Sequence, residues 1–158
     1  MKAKPNARGN RFETLDLAEP IGAVRLMRLA FDAAQGVDAP LNEFRSKPGR
    51  EGYPFRMLLT LLTYAYSRGV FGSDEVELRT RTDSDFRYLA ATDRPDAETL
   101  RLFRRREWVR LQTSLASLLQ TSAGTIGLDT LAALADPDGE AARRLEAAAA
   151  CDSLARDW

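Results

Sequence analysis

Residues 55 to 69, FRMLLTLLTYAYSRG, constrain the fold more than any other stretch. Leu58, Leu61, Leu62, Ala65 and Tyr66 recur at helical spacing and share one face. Gly69 supplies the left-handed residue on which helices commonly end. Such an apolar stripe must be covered by other elements, and the punctuation on either side predicts that these are helices too. Ser73 reads as an N-cap, with Asp74 and Glu75 in the first turn where acids complement the dipole, for a helix over 73 to 81. Asp83 or Ser84 caps a short helix carrying Phe86, Tyr88 and Leu89. After Pro95, Asp96 caps a long helix over 97 to 121. Upstream, PIGAVRLMRLAFDAAQ places Ile21, Val24, Leu26, Leu29 and Phe31 near helical spacing over 20 to 35, with Gly36 as its stop. Residues 36 to 54 hold three glycines and three prolines and read as loop, with a helical turn at LNEF. Asp136 and Pro137 read as N-cap and first residue of a last helix over 138 to 156. No strand alternation and no internal repeat stands out, so the expected fold is all-α.

At 158 residues the chain suits one domain of ordinary size, or one domain and a tail. Histidine is absent and Cys151 is the single cysteine. That removes the usual general base, every Ser-His or Cys-His arrangement, disulfides and ordinary zinc sites. An enzyme is therefore disfavoured, and no cofactor or metal is expected. The basic N-terminus is followed by no signal-like apolar run, and MLLTLLTYAY is too short and polar to span a membrane. A cytoplasmic, soluble protein is expected.

The net charge is zero, from 23 basic and 23 acidic residues, yet the charges are unevenly spread. LRLFRRREWVR, residues 100 to 110, holds five arginines against one acid, while residues 111 to 158 hold three bases against seven acids. On a helix, Arg101, Arg104 and Arg105 fall within about a third of the circumference, and Arg106 and Arg110 sit together on another side. An apolar seam of Leu100, Leu111 and Leu118 runs beside Arg104. The guanidinium fork suits phosphate oxygens, which supply most non-specific affinity for DNA. The plainer reading is a solvated face, offset by Glu98 with Arg101 and by Glu107 with Arg104 or Arg110. Arg56 and Arg68 bracket the helix of residues 55 to 68 and are placed to clamp a nucleic-acid backbone; surface solvation is the plainer account of each alone. The aromatic residues, Tyr88 among them, read as core. The last segment, DPDGEAARRLEAAAACDSLARDW, reads as a weakly packed helix, or as one that covers the basic surface, pairs with another copy or binds a partner.

Three segments fall in order: GYPFRMLLTLLTYAYSRGVFGSDEVE, then DFRYLA, then RPDAETLRLFRRR. The first has a helix-turn-helix outline. The set resembles the N-terminal domain of bacterial insertion-sequence transposases of the Asp-Asp-Glu class. The matching residues are Tyr53, Pro54, Arg56, Met57, Leu58, Leu59, Tyr64, Gly69, Val70, Ser73, Glu77, Phe86, Arg87, Leu89, Pro95, Asp96, Thr99, Phe103 and Arg104. The resemblance covers about residues 49 to 120, and residues 12 to 48 fit more loosely. It implies a flexible basic tail over 1–19, a helical DNA-binding domain over 20–121 and an acidic, Ala-rich helical tail over 122–158. Double-stranded DNA is the implied partner, contacted by Arg101, Arg104, Arg105, Arg106, Arg110, Arg56 and Arg68, with a homo-oligomer or protein partner for residues 122–158. Two departures bear on function. The family has bases after the serine where this chain has Asp74 and Glu75. Its catalytic domain brings several carboxylates to two metal ions. In TIGLDTL, Asp129 resembles the first of these, but the Gly-Thr that usually follows is missing, and a loop or cap aspartate is the plainer reading. The expectation is a truncated or domesticated transposase derivative that binds DNA without catalysis and regulates transposition or transcription. The alternative is an interaction module that kept the scaffold and lost the DNA surface.

Overall fold

The computed structural model describes residues 16–123 and 135–156. The basic N-terminus, most of the glycine-containing segment 122–131 and Asp129 lie outside the described residues. Eight helices are described: α1 (Ala18–Ile21), α2 (Ala23–Gln35), α3 (Phe55–Ser67), α4 (Ser73–Thr82), α5 (Ser84–Ala90), α6 (Ala97–Arg106), α7 (Trp108–Ala123) and α8 (Pro137–Arg156). A small antiparallel pair, β1 (Glu43–Arg45) and β2 (Gly52–Pro54), precedes α3. The all-α expectation holds, with this hairpin as the exception.

Helix α3 is the centre of the molecule. Eleven of its thirteen residues are buried, including Thr60, Thr63 and Ser67. A helix buried on every side needs its hydroxyls satisfied internally. Thr63 Oγ1 donates to the Leu59 carbonyl at 2.7 Å and lies 2.9 Å from Ser114 Oγ on α7, and Ser67 Oγ donates to the Tyr64 carbonyl at 2.7 Å. Helices α2, α5, α7 and α8 surround it. Gly69 ends it as expected: with φ at 79°, it donates to the Tyr66 carbonyl while Val70 donates to Ala65, a Schellman closure.

Four local expectations are corrected. LNEF is no helical turn; Glu43–Arg45 is a strand, and Phe44 faces Tyr53 across the pair with both rings buried. Phe103 meets Phe44 and Phe55 edge-on, each at 5.0 Å, which fastens the hairpin to α3 and α6. The helix over 20 to 35 is broken at Gly22, whose φ of 95° no helix admits. Its buried face is Leu26, Ala30, Ala33 and Ala34, whereas Val24 and Phe31 point outward. The helix over 97 to 121 bends at Glu107, which leaves helical geometry with ψ at 31°. The bend keeps its hydrogen bonds, from Glu107 to Phe103 at 2.8 Å and from Leu111 to Glu107 at 2.9 Å. It lets α6 seat Phe103 on the hairpin while α7 turns Leu111, Leu115, Leu118 and Leu119 into the core. Finally, Gly72 is the N-cap of α4 and Ser73 its first helical residue.

The other caps follow the expectation. Asp83 accepts from the Asp85 amide and Asp96 from the Thr99 amide, both at 3.0 Å. Asp136 accepts from the Gly139 amide at 3.1 Å, with Pro137 opening α8.

Candidate nucleic-acid interface

Each arginine that reads as a DNA contact has a definite place. Arg104 is 4% exposed and donates to Asp152 of α8 at 2.9 Å, so it presents no charge to solvent. Arg101, partly buried, lies 3.8 Å from Asp74. Arg110 donates to the Asp38 carbonyl at 2.6 Å and to Glu107 at 2.7 Å, above the Phe55 ring. Arg56 donates to the Ala34 carbonyl at 2.6 Å, completing the C-terminal turn of α2. Arg68 binds Asp16 through Nε and Nη2 at 3.1 to 3.3 Å and lies 3.6 Å from Asp85. Burial opposes its charge, but the hydrogen bonds to Asp16 and Tyr64 outweigh burial and hold the guanidinium above its already high ordinary pKa. Arg105 and Arg106 remain exposed; Arg106 stacks 5.9 Å from the Phe44 ring. The seven arginines therefore do not form one face. Five of them are engaged by partners within the chain.

The last helix explains Arg104. Ala141, Leu145 and Ala148 of α8 are buried in the main core, and so are three charged residues, Glu140, Arg144 and Asp152. Arg144 is 0% exposed: its Nε donates to Glu140 at 2.8 Å and its Nη1 to the Tyr66 and Ser67 carbonyls at 2.7 and 3.1 Å. Those are the last carbonyls of α3, where a cation complements the dipole. Two turns along α8, Asp152 accepts from the Ser73 amide at 2.9 Å and the Ser73 hydroxyl at 2.8 Å. That is the opening of α4, where an anion does the same. One helix thus caps both ends of the α3–α4 turn with charges of the right sign. Beside this junction, Tyr66 Oη and Arg104 Nε are buried with no hydrogen-bond partner among the described residues, and burial pushes the Tyr66 phenol up. The Cys151 thiol is also raised, by burial and by Asp152 and Glu75, which disfavours the thiolate.

This arrangement bears on the helix-turn-helix outline. In such motifs the N-terminal residues of the second helix meet base edges. Here that end of α4 is occupied by Asp152 and carries exposed Asp74 and Glu75. Arg79 and Arg81 are paired along α4 with Glu75 and Glu77 at 3.0 and 2.9 Å.

A different surface is basic and unneutralised. Thr80, Ser84, Arg87, Tyr88, Ala91 and Arg94 line a shallow pocket of about 450 Å3 where α4 and α5 meet the loop before α6. Arg87 and Arg94 are exposed, and among the described residues no acid lies within ion-pairing distance of either. Tyr88 is 76% exposed, so the expectation that it belongs to the core fails. The acids nearest these arginines along the chain are engaged elsewhere. Asp83, four residues before Arg87, is taken by Arg79 at 3.5 Å, and Glu98, four after Arg94, lies near Lys47 and Arg50. Arg94 lies in the loop before α6 rather than on a helix, so no helical spacing marks it.

Among the described residues no group of three or more His, Cys, Asp or Glu side chains is placed to hold a metal ion, and no helix is long and apolar enough to cross a membrane. A family model described as a transposase domain (DUF772) matches residues 18–106. No curated protein and no solved structure matches the chain.

Proposed function

The chain belongs to the transposase-domain family DUF772, and on that premise we propose that it binds double-stranded DNA without cutting it, as a transposase-derived regulator of transposition or transcription. The observation that carries this reading is the pair Arg87 and Arg94, uncompensated arginines beside the exposed hydroxyl of Ser84 and the exposed ring of Tyr88. Bidentate guanidinium contacts to phosphate, with hydroxyl donors alongside, are how proteins position themselves on a duplex. Arg105 and Arg106, the exposed members of the arginine helix, serve as a second set of phosphate contacts. Arg104, Arg101, Arg110, Arg56 and Arg68 act indirectly, by fixing the elements that carry these contacts.

The test is binding to labelled duplex DNA across a salt series. Each phosphate contact contributes about 0.9 to the slope of log K against log salt. Arg87→Glu/Arg94→Glu is expected to weaken binding and lower that slope by about 2. Arg105→Glu/Arg106→Glu is expected to do so more weakly. Binding that is flat with salt and indifferent to both pairs would remove the reading. The second reading, an interaction module that has lost its DNA surface, is favoured by one specific feature: Arg104 and Arg101 are matched with Asp152 and Asp74 within the chain.

A further inference from the structure

Helix α2 turns an apolar face to solvent. Val24, 73% exposed, and Phe31, 51% exposed, lie two turns apart and, with Met27, Leu89 and the flank of Tyr88, line a groove of about 550 Å3. Large apolar side chains gathered in one place on a small protein mark an interaction surface. The same groove carries Arg28 and Asp32, one turn apart on α2. They are not paired with each other, and among the described residues neither has another ion-pair partner. An arginine placed four residues before an acid is the less favourable order within one helix.

We propose that this groove is the contact between two copies of the chain, with the two α2 helices running antiparallel across a two-fold axis. The charge pattern identifies the occupant. In an isologous contact, residue i meets j of the partner and j meets i. An axis passing midway between Arg28 and Asp32 places each arginine against the other copy's aspartate, making two symmetric ion pairs from groups that have no partner at home. Phe31 then lies beside the axis, and Val24 and Tyr88 flank it, so an apolar centre is rimmed by complementary charge. A duplex would be repelled by Asp32 and would gain little from Val24 and Phe31. The contact shares Tyr88 with the Arg87–Arg94 pocket but leaves both arginines outside its lining, and it does not depend on DNA binding.

Charge reversal tests this in the full-length chain, by sedimentation equilibrium over a concentration series without DNA. Wild type is expected to form a reversible dimer. Arg28→Asp and Asp32→Arg each place like charges across the axis and are expected to weaken the dimer by at least about tenfold. The double variant Arg28→Asp/Asp32→Arg is expected to recover it, and a mixture of the two single variants to form heterodimers. Phe31→Glu is expected to be monomeric. All these positions are exposed, and circular dichroism is expected to show unchanged helix content. A wild type that stays monomeric at every concentration would overturn the proposal, as would a dimer that neither charge reversal alters; the first result would point to another partner, or to residues 1–15, as the occupant of the groove.

Discussion

Arg144 is the residue on which most of the interior polar order depends. It is fully buried, with one carboxylate and two backbone carbonyls around it. Removing one partner of a buried pair strands the other without water, and costs about 3–5 kcal/mol. Arg144→Met is therefore expected to lower the urea midpoint, because it removes the donor to buried Glu140 Oε2 and to the Tyr66 and Ser67 carbonyls, while Glu140 Oε1 keeps Arg143 at 2.9 Å and tempers the loss. Glu140→Gln/Arg144→Met is expected to recover part of the loss, since it leaves no buried charge uncompensated. Asp152→Ala is expected to destabilise by a similar amount, as it leaves Arg104, the Ser73 amide and the Ser73 hydroxyl without their acceptor. Asp96 gives a pH signature instead. Burial works against its charge, but the hydrogen bonds from Thr99 and the neighbouring Arg50 prevail and hold its carboxyl below the usual carboxylate value of 3.8. A carboxyl depressed in the folded state stabilises above its unfolded pKa and loses that contribution as the pH falls through the folded one. Wild type is thus expected to lose stability relative to Asp96→Asn in titrations that pass below about pH 4.

At the scale of elements, caps and stops were legible because they are local. Asp83, Asp96, Asp136 and Gly69 each act within four residues of where they stand, so the sequence displays the whole interaction. Gly69→Ala is accordingly expected to cost about 1 kcal/mol in chemical denaturation, because alanine resists the positive φ that closes α3. The misreadings have a common cause, namely partners far along the chain. Periodicity marked Val24 and Phe31 as inward, but the small residues Ala30, Ala33 and Ala34 let α2 approach its neighbours on the other side. The arginine helix looked like an exposed basic face because the acid that buries Arg104 comes 48 residues later. Helix α8 looked loosely attached because its inner face mixes Ala141, Leu145 and Ala148 with Glu140, Arg144 and Asp152. Charges on a buried face erase the apolar stripe by which an amphipathic helix is recognised. The three-residue strands are too short to show alternation at all.

At the scale of the molecule, the transposase-type segment and the last helix share one hydrophobic core. The family match ends at residue 106, yet α7 and α8 supply Leu111, Leu115, Leu118, Leu119 and Leu145 to the same core as α3. Native-state hydrogen exchange is expected to protect the inner amides of α8 about as strongly as those of α3 and α7, with a single unfolding transition. Separate, weaker protection of α8 would mean that it docks as an accessory. The double cap on the α3–α4 turn also sets an order of events during synthesis. Chains emerge from the N-terminus and fold as their partners appear. Tyr66, Ser67 and Ser73 leave the ribosome some 70 to 80 residues before Arg144 and Asp152, which complete their hydrogen bonds. Until then the end of α3 has only its own Schellman closure and the Leu17 amide, the Ser73 amide and hydroxyl lack their carboxylate, and Arg104 carries an open positive charge. The nascent chain is consequently a more basic and less finished object than the folded protein, and its last helix is what makes it discreet.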